Sequence, residues 1–203
     1  LTLKPYLIFP RSKVSLLFMH HQQLFTVMVL SLKNQKKMKT LSIYGYSKYL
    51  FDQCVRGRLK NHRSQIVGMR YFNVYGPGEQ HKGRMASIAH QAMKKGSMVL
   101  FPNNPRRDFV YVKDVVNANI HAIESGNITT GYYDVGSGVA SPFEEVCRHL
   151  EIPFEYTDES KIPVGYQFYT CSSSDKWMPG WKPQYDLESS LKEYKEAFNE
   201  DLG

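Results

Sequence analysis

Tyr44 and Lys48 stand four residues apart in "LSIYGYSKYLFDQC", Leu41 to Cys54. On a helix such a pair shares one face. An ammonium beside a phenol stabilises the phenolate. The tyrosine can then give and take a proton in an alcohol–ketone interconversion. The same spacing arises by chance on helix surfaces, so the pair needs company. Two later stretches supply it. "RYFNVYGPG", Arg70 to Gly78, closes an apolar run with a turn, at the carboxyl end of a strand where open α/β sheets place ligands. "RRDFVYVKDV", Arg106 to Val115, sets two arginines ahead of a second apolar run. A guanidinium fork suits a pair of phosphate oxygens.

These residues must be held by regular elements, and the chain is punctuated accordingly. Apolar positions at Tyr46, Leu50, Cys54 and Val55 predict a helix beginning near the tyrosine–lysine pair. Ile66 to Phe72 predicts a buried strand ending in the turn Gly76-Pro77-Gly78. "RMASIAHQAMKKGS" predicts an amphipathic helix closed by Gly96, and "MVLF" a short strand before the turn "NNPRRD". A strand and then a helix capped by Asp114 are expected in "DFVYVKDVVNANIHAIES". "GYYDVGSG" predicts a strand and turn, and "SPFEEVCRHL" a helix with Ser141 as N-cap and Glu144 completing a capping box. "FEYTD" and "DLESSLKEYKEAFNEDL" predict a last strand and a terminal helix capped by Asp186. Strands alternating with helices indicate a layered α/β fold with mainly parallel pairing.

Composition narrows the classes further. The 203 residues are 42% hydrophobic and 13% aromatic, which is a globular balance. The net charge of +7 suggests a polyanion partner, but its location argues otherwise. Residues 1–42 hold seven basic side chains and no acid, leaving 19 of each sign in the remainder. A nucleic-acid-binding domain carries its excess on the folded part. "VSLLFMHHQQLFTVMVLSL" is interrupted by polar residues and falls short of the roughly 20 apolar residues needed to span a bilayer. Cys54, Cys147 and Cys171 are widely spaced, with no metal-ligand pattern, and fit a reduced cytoplasmic compartment. His81, His90 and His121 likewise show no ligand spacing. No metal, nucleic acid or membrane partner is expected.

In the order YxxxK, RYFNVYGP, RDFVYVxDV, the chain from Ile43 onward resembles the extended short-chain dehydrogenase/reductase family of NAD-dependent epimerases and dehydratases. "HKG", His81 to Gly83, together with "GYQFYT", points within it to the branch acting on ADP-heptose. The resemblance implies a Rossmann-type parallel sheet with a smaller α/β substrate-binding domain. It implies epimerisation of a nucleotide sugar by transient oxidation and re-reduction, in lipopolysaccharide core synthesis, by a homo-oligomer. NADP is the implied cofactor, with NAD as the other choice. Tyr44 and Lys82 would handle protons on the two faces of the reacting carbon, and Lys48 would hold the nicotinamide ribose. Val74 and Lys82 would meet the cofactor, while Asn73, Arg107 and Tyr166 would bind substrate.

The chain also departs from that pattern. Arg84 stands where a serine is expected, Gln91 where a histidine is expected, and "PNNP" shortens the loop before Arg106. These changes leave open an epimerase or dehydratase for another nucleotide sugar. Upstream, the glycine-rich loop that lets a backbone meet a pyrophosphate is missing, since no glycine precedes Gly45. Reading the codons permitted for Val14 to Met28 one base earlier allows IPFLYASSAAIYGD, the family's strand and serine motif. Those for Lys39 to Ile43 allow ENPLN directly before "YGYSK". The expectation is an out-of-frame leader over residues 1–42, a remnant of the dinucleotide-binding domain over 43–76, and a mainly substrate-binding part over 77–203. The strand at Gln65–Asn73 should then lack neighbours. The cofactor should not be retained, and the isolated chain should be an inactive remnant.

Overall fold

The computed structural model describes residues 14–19, 50, 65–126 and 128–200, with the backbone alone for 14–19 and 65. Three small sheets carry the architecture. The first has the order β1–β2–β6, formed by Val14–Met19, Gln65–Tyr71 and Gly131–Val135, all parallel. The second, β3–β5–β7, uses Asn73–Tyr75, Arg106–Tyr111 and Ala140–Pro142, with β5 and β7 antiparallel. The third pairs β4, Met98–Leu100, with β8, Phe154–Tyr156, in parallel. Four helices complete the described part: α1 (Ile88–Lys95), α2 (Val112–Glu124), α3 (Phe143–Leu150) and α4 (Leu187–Glu200).

Two apolar cores result. One joins Val67, Met69 and Tyr71 of β2 and Val135 of β6 to Ala118 and Ala122 of α2, closed by Met178 and Trp181. The small alanines let the helix lie close on the sheet. The other gathers Tyr75, Phe109 and Tyr111 against α1, α3 and α4 through Ala89, Ala92, Val146, Leu150, Leu191 and Tyr194. The chain crosses between them at residue 72, where β2 passes into β3, so the two cores meet at the site-bearing strand.

The expected elements are present with shifted ends. Gly96 closes α1 in the left-handed region at φ 71°, its N–H bonded to the Ala92 carbonyl at 2.9 Å. Asp186 accepts the Ser189 N–H at 2.8 Å ahead of α4, as expected of its cap. Helix α1 starts later than the apolar pattern suggested, because Ser87 caps it by accepting the His90 N–H at 3.2 Å. The residues before it form a 3-10 turn, Gln80–Met85.

Three expectations are corrected. Asp114 does not cap α2, whose cap position is Tyr111; its carboxyl accepts the N–H groups of Gln184 and Tyr185 at 2.8 and 3.2 Å, anchoring a distant loop instead. Ser141 does not cap α3 either. It lies in β7, and Pro142 takes the cap position. Finally, β2 does not lack neighbours, since β1 pairs with it from Val14↔Gln65 to Met19↔Arg70 and β6 covers its other edge. A parallel ladder uses main-chain groups, so a short apolar run such as VSLLFM can fill the place.

Candidate functional site

Strand β3 delivers Asn73 and Val74 to the carboxyl end of the parallel strands, and the chain then turns sharply at Gly76. There φ is 141°, and a Cβ would come within 2.5 Å of Val112 Cγ1, so a side chain fits neither the backbone nor the space. Next comes the turn carrying Lys82. It is reversed at Gly83, whose φ of 54° with ψ of −119° is open only to glycine in practice. The "HKG" glycine therefore has a structural reason: it lets the chain double back immediately after the lysine.

Asn73, Val74 and Lys82 line one cavity of about 90 Å³, together with Met85, Ser87, Phe109 and Phe143. Lys82 is partly exposed, and its Nζ lies 3.9 Å from Glu79 Oε2. Residues of proposed substrate and cofactor contact thus share one small wall. A larger cavity of about 590 Å³ opens between Ser137–Ser141, α3 and the start of α4, but of the site residues' neighbours it includes only Phe109.

Arg107 is completely buried in β5. One guanidinium nitrogen donates to the Arg106 carbonyl at 2.8 Å and the other terminal nitrogen to the Gln167 carbonyl. Its Nε has no partner. Its Cζ sits 5.6 Å from the Phe143 ring centre and 5.2 Å from that of Tyr166, within cation–π range. Burial lowers its pKa, opposed by the tyrosine beside it. Burial likewise raises that of Tyr166, with Arg107 opposing. Tyr166 is braced edge-on by Phe101 and Phe168 at 5.0 and 5.2 Å. The structure therefore brings Arg107 and Tyr166 together. Phe143, which touches the arginine, also forms a wall of the Asn73–Lys82 cavity.

Two functional-looking acids were not singled out from sequence. Glu79 is buried and accepts hydrogen bonds from Ser87 and Tyr194. Asp108, also fully buried, accepts from Ser137 and Ser172 through both backbone and hydroxyl and from the Gly138 N–H, at 2.6 to 3.0 Å. An acid inside the otherwise apolar "DFVYV" was the available signal. His90 is buried with Nδ1 3.1 Å from the Tyr194 hydroxyl, and His121 Nε2 lies 2.8 Å from the Pro179 carbonyl oxygen. His81 is exposed. Among the described residues no group of three or more His, Cys, Asp or Glu could hold a metal ion, and no helix is long and apolar enough to cross a membrane. Tyr44 and Lys48 lie outside the described residues.

A parallel sheet with its cleft at the strands' carboxyl ends defines a Rossmann-type α/β protein. The sequence model of the NAD dependent epimerase/dehydratase family matches residues 30–136, just over half of the chain, and the chain belongs to that family. It is 48% identical over 120 residues to ADP-L-glycero-D-manno-heptose-6-epimerase of Pseudomonas aeruginosa, an alignment covering 54% of this chain and 36% of that protein. Among solved structures it is similar to the Helicobacter pylori ADP-L-glycero-D-manno-heptose-6-epimerase, with TM-score 0.67 and 28% identity over 82% of this chain and 54% of that one. It is also similar to the UDP-N-acetylglucosamine 4-epimerase of Methanobrevibacter ruminantium, solved with UDP-N-acetylmuramic acid, at TM-score 0.71 and 25% identity over 93% of this chain and 64% of that one. The chain spans about a third of the length of the curated relatives it matches.

Proposed function

We propose that this chain is the substrate-side portion of a nucleotide-sugar epimerase that interconverts ADP-D-glycero- and ADP-L-glycero-D-manno-heptose for lipopolysaccharide core synthesis in the cytoplasm. One observation carries the reading: Phe143 both lines the cavity of Asn73, Val74 and Lys82 and stacks on the buried Arg107 guanidinium. A sugar carbon and a diphosphate on one substrate need such adjacent places. Arg107 would meet the diphosphate by exchanging the Arg106 and Gln167 carbonyls its terminal nitrogens now hold for phosphate oxygens, and Tyr166 would close over it. Asn73 would orient the sugar, and the phenylalanines would exclude water. Tyr44 and Lys82 would take and return the hydroxyl proton on opposite faces of the oxidised carbon. We assign residues 43–76 to the dinucleotide-binding part and 77–203 mainly to the substrate-binding part, in a protein that works as a homo-oligomer.

The residues present fit only one end of the cofactor. Val74 and Lys82 suit the nicotinamide end, with Lys48 on its ribose, but the 90 Å³ cavity does not hold a dinucleotide. Residues 1–44 contain no glycine to admit a pyrophosphate. When bound, NADP or NAD would accept and return a hydride. We infer that this chain retains neither and that residues 1–42 are read out of frame, so the chain alone does not turn over. Calorimetric titration of the purified chain tests this. ADP-heptose is expected to bind and an Arg107→Met variant to lose at least about tenfold in affinity. Absence of ADP-heptose binding sinks the substrate reading, tight NADP binding sinks the cofactor inference, and an intact upstream reading of the gene in the present frame sinks the frameshift.

A further inference from the structure

The loop presenting Lys82 is organised around Glu79. This side chain belongs to a residue only 3% exposed, yet its carboxylate is met from several sides. Ser87 donates through its N–H at 2.6 Å and its hydroxyl at 2.5 Å, Tyr194 through its phenol at 3.0 Å, and Gly76 through its N–H at 3.4 Å. Those donors come from the YGP turn, the cap of α1 and the middle of α4, and all of them are neutral. The charged neighbour is Lys82, whose Nζ stands 3.9 Å from Oε2 and whose backbone N–H donates to the Glu79 carbonyl at 2.9 Å. Behind Tyr194, His90 closes the chain of contacts with Nδ1 at 3.1 Å from the phenol oxygen. Arg84, the next cation along the turn, is exposed.

We propose that Glu79 is a positioning residue for Lys82. It pins the turn from both ends and supplies the negative charge against which the ammonium rests at the cavity wall. The proposal builds on the reading of Lys82 as a proton-handling group and adds what sets that group's place. The contact holds the ammonium, with the proton it would donate, at the cavity wall and shields it from an acylating reagent. When that proton passes to a substrate oxygen, one N–H bond breaks and one O–H bond forms, and the neutral amine no longer pairs with the acid. A purely structural acid would need only its hydrogen bonds. Glutamine keeps an acceptor oxygen for the Tyr194, Gly76 and Ser87 hydroxyl donors on Oε1 and removes the charge, losing only the Ser87 N–H bond made to Oε2.

Competitive acetylation of the full chain with acetic anhydride, read lysine by lysine by mass spectrometry, supplies the test, with exposed Lys94 and Lys95 as references. Glu79→Gln is expected to raise Lys82 labelling by on the order of threefold relative to Lys94 at about pH 8. Amide exchange over residues 76–86 should stay unchanged, with any change confined to the Ser87 amide that met Oε2, and Glu79→Asp should restore the labelling. A folded Glu79→Gln chain in which Lys82 labels as before overturns the proposal. Should that variant not fold, the unaltered chain decides, because Lys82 labelling as fast as that of Lys94 also overturns it. The readout needs no turnover and no ligand. Loss of ADP-heptose binding therefore refutes the functional reading while leaving this result legible, and the converse also holds.

Discussion

Around β2 and α2 the interior is assembled from shape: Val67, Met69 and Val135 lie against Ala118 and Ala122, with Met178 and Trp181 filling the end. Its main ionic feature is one pair, Arg70 with Asp134 at 2.6 Å, on residues that face each other in the β2–β6 register. Around β3 and β5 the interior is assembled from partners. Glu79, Arg107 and Asp108 are all buried there, and each is tied to groups far away in sequence, such as Tyr194, Gln167 and Ser172. The difference teaches where exact placement matters. An apolar core tolerates volume-conserving change, whereas a buried polar group left without its partner costs heavily. The described part of the candidate site lies mainly on the second kind of ground, with Val74 alone packing against the first core, and its accuracy depends on hydrogen bonds more than on packing.

That contrast is open to attack by mutation, with the largest effect expected at Asp108. Asp108→Ala removes the acceptor of five hydrogen bonds and should cost about 4 kcal/mol of unfolding free energy in urea titration. A cost below that of a single methylene in the sheet core would erase the distinction. The next effect belongs to the sheet half and to alkaline pH. Burial, opposed by the Asn119 bond, pushes the Tyr71 hydroxyl up to about 12. An unfolded tyrosine ionises near 10, so stability present below that pH is lost as pH rises towards 12. The loss amounts to roughly 2 kcal/mol. Tyr71→Phe should flatten this alkaline limb while costing about 1 kcal/mol at neutral pH through the 2.9 Å bond to Asn119. An unchanged alkaline limb would assign the sensitivity to other phenols. The smallest effect is expected at Gly83→Ala, about 1 kcal/mol, because nothing lies within 4 Å of the added carbon and only the backbone conformation is penalised. It should nevertheless alter Lys82 acetylation, since that turn aims the lysine. A variant silent in both stability and labelling would show that the reversal at Gly83 does not aim it.

Much of this was legible from sequence, and the misses have a common cause. Strand and helix positions followed from periodicity, and Asn73, Val74 and Lys82 were within one short stretch, so their convergence needed only one turn. Arg107 and Tyr166 are distant in sequence; the resemblance put both among the substrate-binding residues, and the structure sets the Arg107 Cζ 5.2 Å from the Tyr166 ring centre. Asp114 and Ser141 were misread because capping rules look only at the next turn of helix. Asp114 instead serves Gln184 and Tyr185, some seventy residues on. Glu79 and Asp108 were passed over for the same reason. Their partners lie on other elements, and no local pattern announces them.

The pairing of β1 with β2 carries a consequence for how such a gene can change. Six consecutive residues of β1 sit in register beside β2, and the ladder between them reads main chain, not side-chain identity. That berth therefore stores very little information per residue: rewriting every letter of the segment while keeping it extended and apolar leaves the neighbouring strand supported. Downstream, by contrast, single letters such as Gly83 and Asp108 are spelled for one purpose. Errors in the first region are absorbed by geometry; errors in the second are exposed by chemistry.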